Sequence, residues 1–145
     1  MDKREWYVEF QNFTRQKIFF EPLAKKIKEI LEKEKAPSGE ISVCFVGIKR
    51  IKKINNDFRK KNKPTDVLTF AQLEDESLPF WVGQIIVCPQ WIKKCLKTKK
   101  AVIFQKELTK VLIHSTLHLL GYDHTQSKRA AELMKTKEEF YLTLL

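Results

Sequence analysis

The sequence predicts a single α/β (α+β) domain, spanning residues 1–145, in which helices pack on a small mixed sheet. Its length of 145 residues is that of one domain and is enough to bury a substantial core without disulfides. Segments with strand and helix periodicity alternate along the chain. No internal repeat, low-complexity tract or linker rich in Gly, Ser or Pro divides it. We therefore expect one folded unit.

The first part of the chain has the pattern of a strand, a helix and a second strand. Residues 6–11 alternate apolar and polar side chains, as a half-buried strand does. Turn residues at 36–39 precede a β-branched and aromatic run at 41–46, which predicts the second strand. The two strands could form a crossover unit, right-handed if they are parallel. The helix between them, residues 18–35, is predicted by apolar residues at helical spacing: Phe19, Leu23, Ile27, Ile30 and Leu31.

A second helix and a hairpin are expected next. Residues 48–58 are predicted to be helical and residues 59–63 to form a basic loop. Strand character follows at 66–70 and again at 83–88, with the acidic, irregular residues 73–79 between them. These two strands are expected to pair in an antiparallel hairpin with a long loop. The helix is predicted by three apolar residues at helical spacing: Ile51, Ile54 and Phe58.

Three helices are expected in the remainder of the chain. Residues 89–96 form a short helix, residues 104–120 a long one, and residues 127–144 the last, with Ser127 as its N-cap. Gly121 lies where a helix commonly ends, because glycine adopts the left-handed conformation at little cost. The long helix is predicted to turn one stripe to the core: Leu108, Val111, Leu112, Ser115 and Leu119. The last helix is predicted by four residues of its own: Ala131, Met134, Phe140 and Tyr141.

The composition is strongly basic. Lysine and arginine outnumber aspartate and glutamate 28 to 18, a formal charge of +10, which favours nucleic acid as a partner over an anionic membrane surface. No apolar run approaches the roughly 20 residues needed to cross a bilayer, and the first residues are not a secretory signal. We expect a soluble, cytoplasmic protein without a membrane partner. The three cysteines lack C-x-x-C spacing and are expected to be buried free thiols: Cys44, Cys88 and Cys95.

All three histidines fall in one short segment. On a helix, His114 and His118 lie one turn apart and project from the same face. A turn at Gly121 can bring His124 back toward them. Three neutral imidazoles with one open position are typical of a catalytic zinc site. The alternative is three unrelated core or surface histidines, but their concentration at this spacing favours the metal site.

The spacing His-x-x-x-His-x-x-Gly-x-x-His also occurs in metalloproteases of the metzincin type. In those enzymes the residue after the first histidine is a glutamate that acts as general base. Here it is Ser115, whose hydroxyl cannot take a proton from water near neutral pH without a base of its own. The peptidase chemistry therefore lacks its base, although the scaffold can be shared.

The segment His114–His124 resembles the His-Gly-x-Leu-His-Leu-x-Gly-Tyr-Asp-His motif of the YbeY family, the bacterial ribosomal RNA maturation factors. Ile54–Arg59 and Lys63–Phe70 resemble that family's Leu-Asn-x-x-Tyr-Arg and Pro-Thr-Asp-Val-Leu-Ser-Phe segments. The chain departs from the family at two positions. Ser115 replaces the usual glycine, and Gln84 replaces the usual aspartate, which puts any proton-transfer role of that position in doubt.

The resemblance implies a zincin-like fold with the metal-binding helix near the C-terminus. It also implies a metal-dependent endoribonuclease acting in maturation of the 3′ end of small-subunit ribosomal RNA and in ribosome quality control. Its partners would be single-stranded RNA, ribosomal RNA and the small ribosomal subunit. Carried over by position, the resemblance makes His114, His118 and His124 the ligands of one Zn²⁺, and Arg59 and His114 the catalytic residues.

The chemistry of the candidate residues is consistent with that expectation. RNA cleavage develops negative charge, which Zn²⁺ can stabilise by polarising the phosphate or by lowering the pKa of water to about 7. Arg59 offers a planar, permanently charged fork to phosphate oxygens. Asp123 either orients an imidazole or shapes the turn after Gly121.

Thr65 and Asp66 either fix the loop that carries Arg59 or form a simple turn before a strand. Glu107 is expected to be an exposed helix residue, because it lies about two turns from His114. A third class of function remains beside nuclease and peptidase. It is a non-catalytic ribosome-assembly factor with a structural metal and an RNA-binding surface.

Overall fold

The computed structural model describes residues 4–72 and 81–144. The acidic, irregular segment predicted at 73–79 lies outside these residues. The described part contains four strands and five helices, in the order β1 (Trp6–Asn12), α1 (Phe20–Lys33), β2 (Gly39–Phe45), α2 (Ile48–Arg59), β3 (Val67–Gln72), β4 (Trp81–Val87), α3 (Pro89–Leu96), α4 (Ala101–Leu119) and α5 (Lys128–Thr143).

The four strands form one mixed sheet in the order β1-β2-β4-β3. β1, β2 and β4 are parallel, so that Val43 of β2 lies between Phe10 and Ile85. β3 is antiparallel to β4, with Phe70 opposite Gln84. The sheet confirms the predicted antiparallel hairpin and shows that the first two strands are parallel. β3 occupies one edge and contacts α4, so it brings this edge of the sheet next to the histidine-bearing helix.

The main core lies between one face of the sheet and helices α1 and α4. Because side chains of a strand alternate between its faces, Ile41, Val43 and Phe45 share the face that packs on these helices, and all three are buried. A smaller cluster between α2 and the opposite face includes Ile51 and Ile86. A third cluster joins α1, α4 and α5 through Ile30, Ile113, Leu117, Met134 and Tyr141.

Two glycines position the histidine-bearing helix. A Cβ at Gly83 would lie 2.9 Å from a methyl group of Leu119, so a glycine in β4 lets the end of α4 pack close to the sheet. Gly121 has φ of +104°, a conformation that glycine adopts at little cost. It follows the C-cap Leu120, which confirms the predicted helix end. The chain turns there toward α5.

The predicted elements agree with the structure apart from their ends. α3 has the predicted bounds, and Ser127 is the N-cap of α5, accepting a hydrogen bond from the backbone N–H of Ala130 at 3.0 Å. α4 begins at Ala101, about one turn earlier than predicted. All five residues of its predicted inner stripe are buried. No helix in the described part of the chain is long and apolar enough to span a bilayer.

Three of the apolar residues from which helices were predicted are exposed. Phe19, Phe58 and Phe140 have 58%, 69% and 48% of their surface accessible. Phe19 precedes α1, Phe58 lies in the last turn of α2, and Phe140 lies beside Tyr141, which takes the buried position on α5. The prediction of buried thiols was correct for Cys88 and wrong for two others, since Cys44 is half-buried and Cys95 exposed.

Candidate functional site

The three histidines line one cavity of about 370 Å³. It lies where the end of α4, the turn that follows it, the end of α2 and the edge strand β3 meet. The residues predicted for the site are therefore brought together. Glu107 does not line the cavity. Its Oε2 lies 4.0 Å from Nζ of Lys110 on the same helix. The lining residues are Arg59, Thr65, Asp66, Val67, Thr69, His114, Ser115, His118, Asp123, His124 and Thr125.

His114 is oriented by a carboxylate from another helix. Its Nδ1 lies 2.6 Å from Oε1 of Glu138 on α5, and both side chains are about one third exposed. A carboxylate oxygen accepts a hydrogen bond, so Nδ1 is the nitrogen that donates. Nε2 is then the nitrogen of His114 that remains available to a ligand.

His118 is oriented by the backbone that follows its helix. The Nδ1 of His118 lies 3.0 Å from the carbonyl oxygen of Tyr122. A carbonyl can only accept, so Nδ1 donates and Nε2 again remains available. The carbonyl is brought there by the turn at Gly121, in which the N–H of Gly121 donates to the carbonyl of His118 and the N–H of Tyr122 to that of Leu117.

His124 is held less firmly. It is exposed, and within the described residues its ring makes no hydrogen bond. The turn before it is shaped by Asp123, whose Oδ1 accepts from the backbone N–H of Thr125 at 2.9 Å and from its hydroxyl at 2.6 Å. These hydrogen bonds, with the nearby imidazoles as a smaller cause, lower the pKa of Asp123. Of the two roles open to Asp123, the geometry shows the shaping of the turn.

The distances between the ring centroids can be compared with the distance expected for two imidazoles that bind the same ion. Two imidazoles that bind one tetrahedral Zn²⁺ at about 2.0–2.1 Å have ring centroids about 5 Å apart. The centroid of His114 lies 5.4 Å from that of His124 and 6.4 Å from that of His118. Among the described residues, no three His, Cys, Asp or Glu side chains already stand in a geometry that could hold an ion.

The donor set nevertheless fits a divalent ion such as zinc. Three imidazoles are suitable ligands, and those of His114 and His118 already have Nδ1 engaged, as metal-bound histidines usually do. His124 is exposed and its ring makes no hydrogen bond within the described residues, so it can rotate without losing core packing.

Arg59 is the last residue of α2, and the prediction that it lies in a loop was wrong by one residue. Its side chain is exposed, lines the histidine cavity and forms no ion pair in the described part of the chain. The backbone that follows is held by Asn55, which is 2% exposed and donates from Nδ2 to the carbonyl of Lys63 at 2.8 Å. Sequence reasoning assigned no role to Asn55.

Thr65 and Asp66 hold the approach to β3. The hydroxyl of Thr65 donates to Oδ1 of Asp66 at 3.2 Å, and the carbonyl of Asp66 accepts from the N–H of Cys88 at 2.9 Å. These contacts tie the segment after Arg59 to the end of the sheet. Both residues therefore shape the wall of the cavity that faces the histidines.

The two departures from the family motif do not change the donor set. Ser115 is fully buried, and its hydroxyl donates to the carbonyl of Val111 at 2.8 Å, so its polar group is satisfied within α4. Gln84 is exposed on the sheet face toward α2, in a groove with Phe58 and Phe70, and does not line the histidine cavity. No residue of the donor set depends on either position.

Glu138 and the carbonyl of Tyr122 were missed by sequence reasoning. Glu138 lies 24 residues from His114, and its approach depends on how α5 packs on α4. Helical periodicity predicts that α5 exists but not which of its polar residues faces another helix. The carbonyl of Tyr122 carries no side-chain signal, although the glycine before it predicts that the chain turns there.

Comparisons with known proteins find relatives over most of the chain. The sequence profile of a family described as "Endoribonuclease YbeY" matches residues 3–145. A protein named "Endoribonuclease YbeY" from Thermotoga petrophila is 37% identical over 122 residues, which are 84% of this chain and 77% of the relative. One of the same name from Thermodesulfovibrio yellowstonii is 39% identical over 129 residues, 88% and 80% of the two chains.

The fold is also similar to one determined in solution. A Thermotoga maritima protein matches with a TM-score of 0.63 and 33% sequence identity. The match covers 94% of this chain and 86% of that protein. The similarity in sequence and the similarity in fold therefore extend over nearly the same length.

Proposed function

This chain belongs to the YbeY family of endoribonucleases, and from that premise we propose that it cleaves single-stranded RNA at the histidine cavity. In this proposal His114, His118 and His124 bind one Zn²⁺, and Arg59 and His114 are the catalytic residues. The physiological substrate would be the 3′ end of small-subunit ribosomal RNA, in the cytoplasm, with a further part in ribosome quality control.

One observation carries the proposal. The Nδ1 atoms of His114 and His118 are both engaged by acceptors, Glu138 Oε1 and the Tyr122 carbonyl, and both rings line the cavity that also receives Arg59. An acceptor on the ring nitrogen that does not bind the metal fixes the tautomer and the ring orientation of a metal-binding histidine. The cavity thus combines two oriented imidazoles, a third that is free to move, and a permanent positive charge.

The residues of the cavity suit a phosphodiester. When bound, Zn²⁺ supplies Lewis acidity that stabilises negative charge developing on the phosphate. The guanidinium of Arg59 can donate two parallel hydrogen bonds to phosphate oxygens and stays charged throughout the reaction. Glu138 accepts a hydrogen bond from Nδ1 of His114, which holds the tautomer and the orientation of that ring. The net charge of +10 favours encounter with a polyanion.

Peptidase chemistry is not supported by the residue next to His114. The hydroxyl of Ser115 is buried and donates to the carbonyl of Val111, so it does not serve as a proton acceptor toward the cavity. A non-catalytic assembly factor would need neither Arg59 nor an open metal position.

The test combines metal analysis with cleavage of a single-stranded RNA by the wild type, His114→Ala and Arg59→Ala. Arg50→Ala is the matched control, because Arg50 lies on the same helix but stacks over the ring of Phe13, 5.0 Å from its centroid, and does not line the cavity. We expect one zinc per chain, cleavage that a chelator abolishes, and loss of cleavage in the first two variants but not in Arg50→Ala.

Three outcomes would contradict the proposal. Undiminished cleavage by His114→Ala would remove the histidine cavity from the reaction. Cleavage of unfolded protein but not of RNA would favour the peptidase. Normal maturation of ribosomal RNA in cells that carry metal-loaded but cleavage-inactive variants would favour the assembly factor.

A further inference from the structure

A partly buried carboxylate lies behind the candidate site without lining its cavity. Glu34 is the C-cap residue of α1, and its side chain is 9% exposed. Its carboxylate accepts hydrogen bonds from the hydroxyls of Tyr122 and Tyr141 and from Nζ of Lys137 at 3.1 Å. The hydrogen bonds from its three partners outweigh burial and lower the pKa of Glu34, while burial and Glu34 raise the pKa of Tyr122 to about 12.

The first partner of Glu34 connects it to His118. Tyr122 donates from its side chain to Glu34, and its own backbone carbonyl accepts the Nδ1 hydrogen of His118 at 3.0 Å. The turn after α4 is therefore fixed at Tyr122 on one side and contacts His118 on the other. The hydrogen bond to Glu34 therefore restrains the turn that presents this carbonyl to the imidazole.

The other partners connect Glu34 to His114. Lys137 and Tyr141 lie one turn apart on α5 and therefore on the same face of that helix. Glu138 is the next residue after Lys137, and its Oε1 lies 2.6 Å from Nδ1 of His114. Because Glu34 fixes this turn of α5 from one side, it also fixes the place from which Glu138 reaches His114 on the other.

We propose that Glu34 is a positioning residue, whose carboxylate holds Tyr122 and α5 where they orient the two imidazoles of α4. Glu34 is not a catalytic residue, because it touches neither the cavity nor the histidines. The inference rests on the proposed function in so far as His114 and His118 bind the metal. The orientation of the two rings can be measured without metal, so the inference can be tested separately.

A second link between α1 and α5 provides the control. Nζ of Lys26 donates to the carbonyls of Tyr141 and Leu144 at 2.9 and 2.7 Å, and it also pairs with Glu29. Lys26→Ala weakens the attachment of α5 to α1 but leaves the contacts of Tyr122 and Glu138 in place. If docking of α5 were all that matters, this variant and Glu34→Gln would behave alike.

The variants are Glu34→Gln, Tyr122→Phe and Lys26→Ala, compared with the wild type. Glutamine has the shape of glutamate but only one acceptor oxygen, so it cannot satisfy three donors. Tyr122→Phe removes the hydroxyl and keeps the carbonyl. The readouts are the affinity for Zn²⁺, measured by competition with a chromophoric chelator, and the imidazole ¹⁵N shifts of the zinc-free protein, which identify the tautomers of His114 and His118.

We expect Glu34→Gln to weaken zinc binding about tenfold. This is the lower end of the 10–100-fold loss caused by removing a residue that supports a metal ligand without touching the metal. In the zinc-free protein, His118 should change from the Nδ1–H tautomer to a mixture. Tyr122→Phe should change the tautomer of His118 and leave that of His114 unchanged. Lys26→Ala should lower the free energy of unfolding and leave the zinc affinity and both tautomers unchanged. The double variant of Glu34 and Tyr122 should affect His118 no more than Glu34→Gln does.

Wild-type zinc affinity and tautomers in folded Glu34→Gln would overturn the inference, as would equal effects of Lys26→Ala. If Glu34→Gln does not fold, unchanged His118 shifts in Tyr122→Phe would overturn the link to His118. Failure of the wild type to cleave RNA would count against the proposed function, while the tautomers would still decide the role of Glu34.

Discussion

The two halves of the candidate site differ in how firmly the fold holds them. His114 and His118, both on α4, each have an acceptor on Nδ1, and behind those acceptors lie α5 and the Glu34 carboxylate. His124 and Arg59 are exposed and, within the described residues, make no hydrogen bond or ion pair through their side chains. One half is oriented before any ligand binds, whereas the other must be ordered by the ligand.

Substitutions in the two halves should therefore affect different steps, metal binding and RNA binding. Changes behind the two imidazoles of α4 should act on metal affinity, because an oriented ligand loses little conformational freedom on binding. Changes at Arg59 should act mainly on contacts with RNA, since Arg59 has no structural partner in the described chain to lose.

The largest effect is expected from loss of an oriented ligand. His114→Ala should weaken zinc binding more than a hundredfold, which exceeds the loss expected from removing a residue that only supports a metal ligand. His124→Ala should weaken it less, because a ligand that must first be ordered contributes less. Competition with a chromophoric chelator measures both variants. Equal losses in the two variants would contradict the difference between the halves.

Removal of the acceptor on His114 should have the next largest effect. Glu138→Ala is expected to lower zinc affinity 10–100-fold, because His114 loses the group that fixes its tautomer and orientation. Glu139→Ala is the matched control, since Glu139 is exposed and its carboxylate does not contact the histidines. Isothermal titration of both zinc-free variants gives the comparison, and wild-type affinity in Glu138→Ala would count against it.

Arg59→Lys should separate RNA contact from metal binding. The ammonium of lysine keeps the charge but loses the bidentate fork, so cleavage should fall about tenfold, about 1.4 kcal/mol of transition-state stabilisation. Zinc affinity should stay at the wild-type value. Steady-state cleavage of a short single-stranded RNA, together with the zinc titration, checks both. A parallel loss of zinc affinity would show that Arg59 supports the metal half.

The smallest effect is a dependence of stability on acidity. Hydrogen bonds from Tyr122, Tyr141 and Lys137 lower the pKa of Glu34 below its ordinary value of 4.5. Ionised Glu34 therefore stabilises the fold above the pKa of the unfolded chain, and this contribution is lost as pH falls through the lower pKa of the folded state. The difference in unfolding free energy between wild type and Glu34→Gln should shrink below about pH 4.5. Denaturant titrations at pH 7 and pH 3.5 measure it, and a constant difference would be contrary evidence.

Much of the fold could be predicted from local pattern. The alternation in β1, the bounds of α3, the inner stripe of α4 and the cap at Ser127 all follow from properties of neighbouring residues. Exposure was harder to predict, because Phe58 and Phe140 have helical spacing but are 69% and 48% exposed among the described residues. Periodicity indicates a face of a helix and not how much of that face is covered.

The candidate site could be predicted only in part. Three histidines at metal-ligand spacing are visible in the sequence, and the structure brings them to one cavity with Arg59. Glu138 and Glu34 could not be found this way, because they reach the site across 24 and 88 residues through the packing of α1 and α5. Long-range contacts of polar side chains leave no periodic signal in one sequence.

The most direct test of the account is the imidazole ¹⁵N spectrum of the three histidines before and after addition of one equivalent of Zn²⁺. We predict that His114 and His118 are Nδ1–H tautomers already in the zinc-free protein, and that both then bind the ion through Nε2 while the signals of His124 also shift. Tautomer mixtures at His114 and His118 before zinc is added, or signals that zinc leaves unchanged, would contradict the claim that the fold orients half of a metal site in advance.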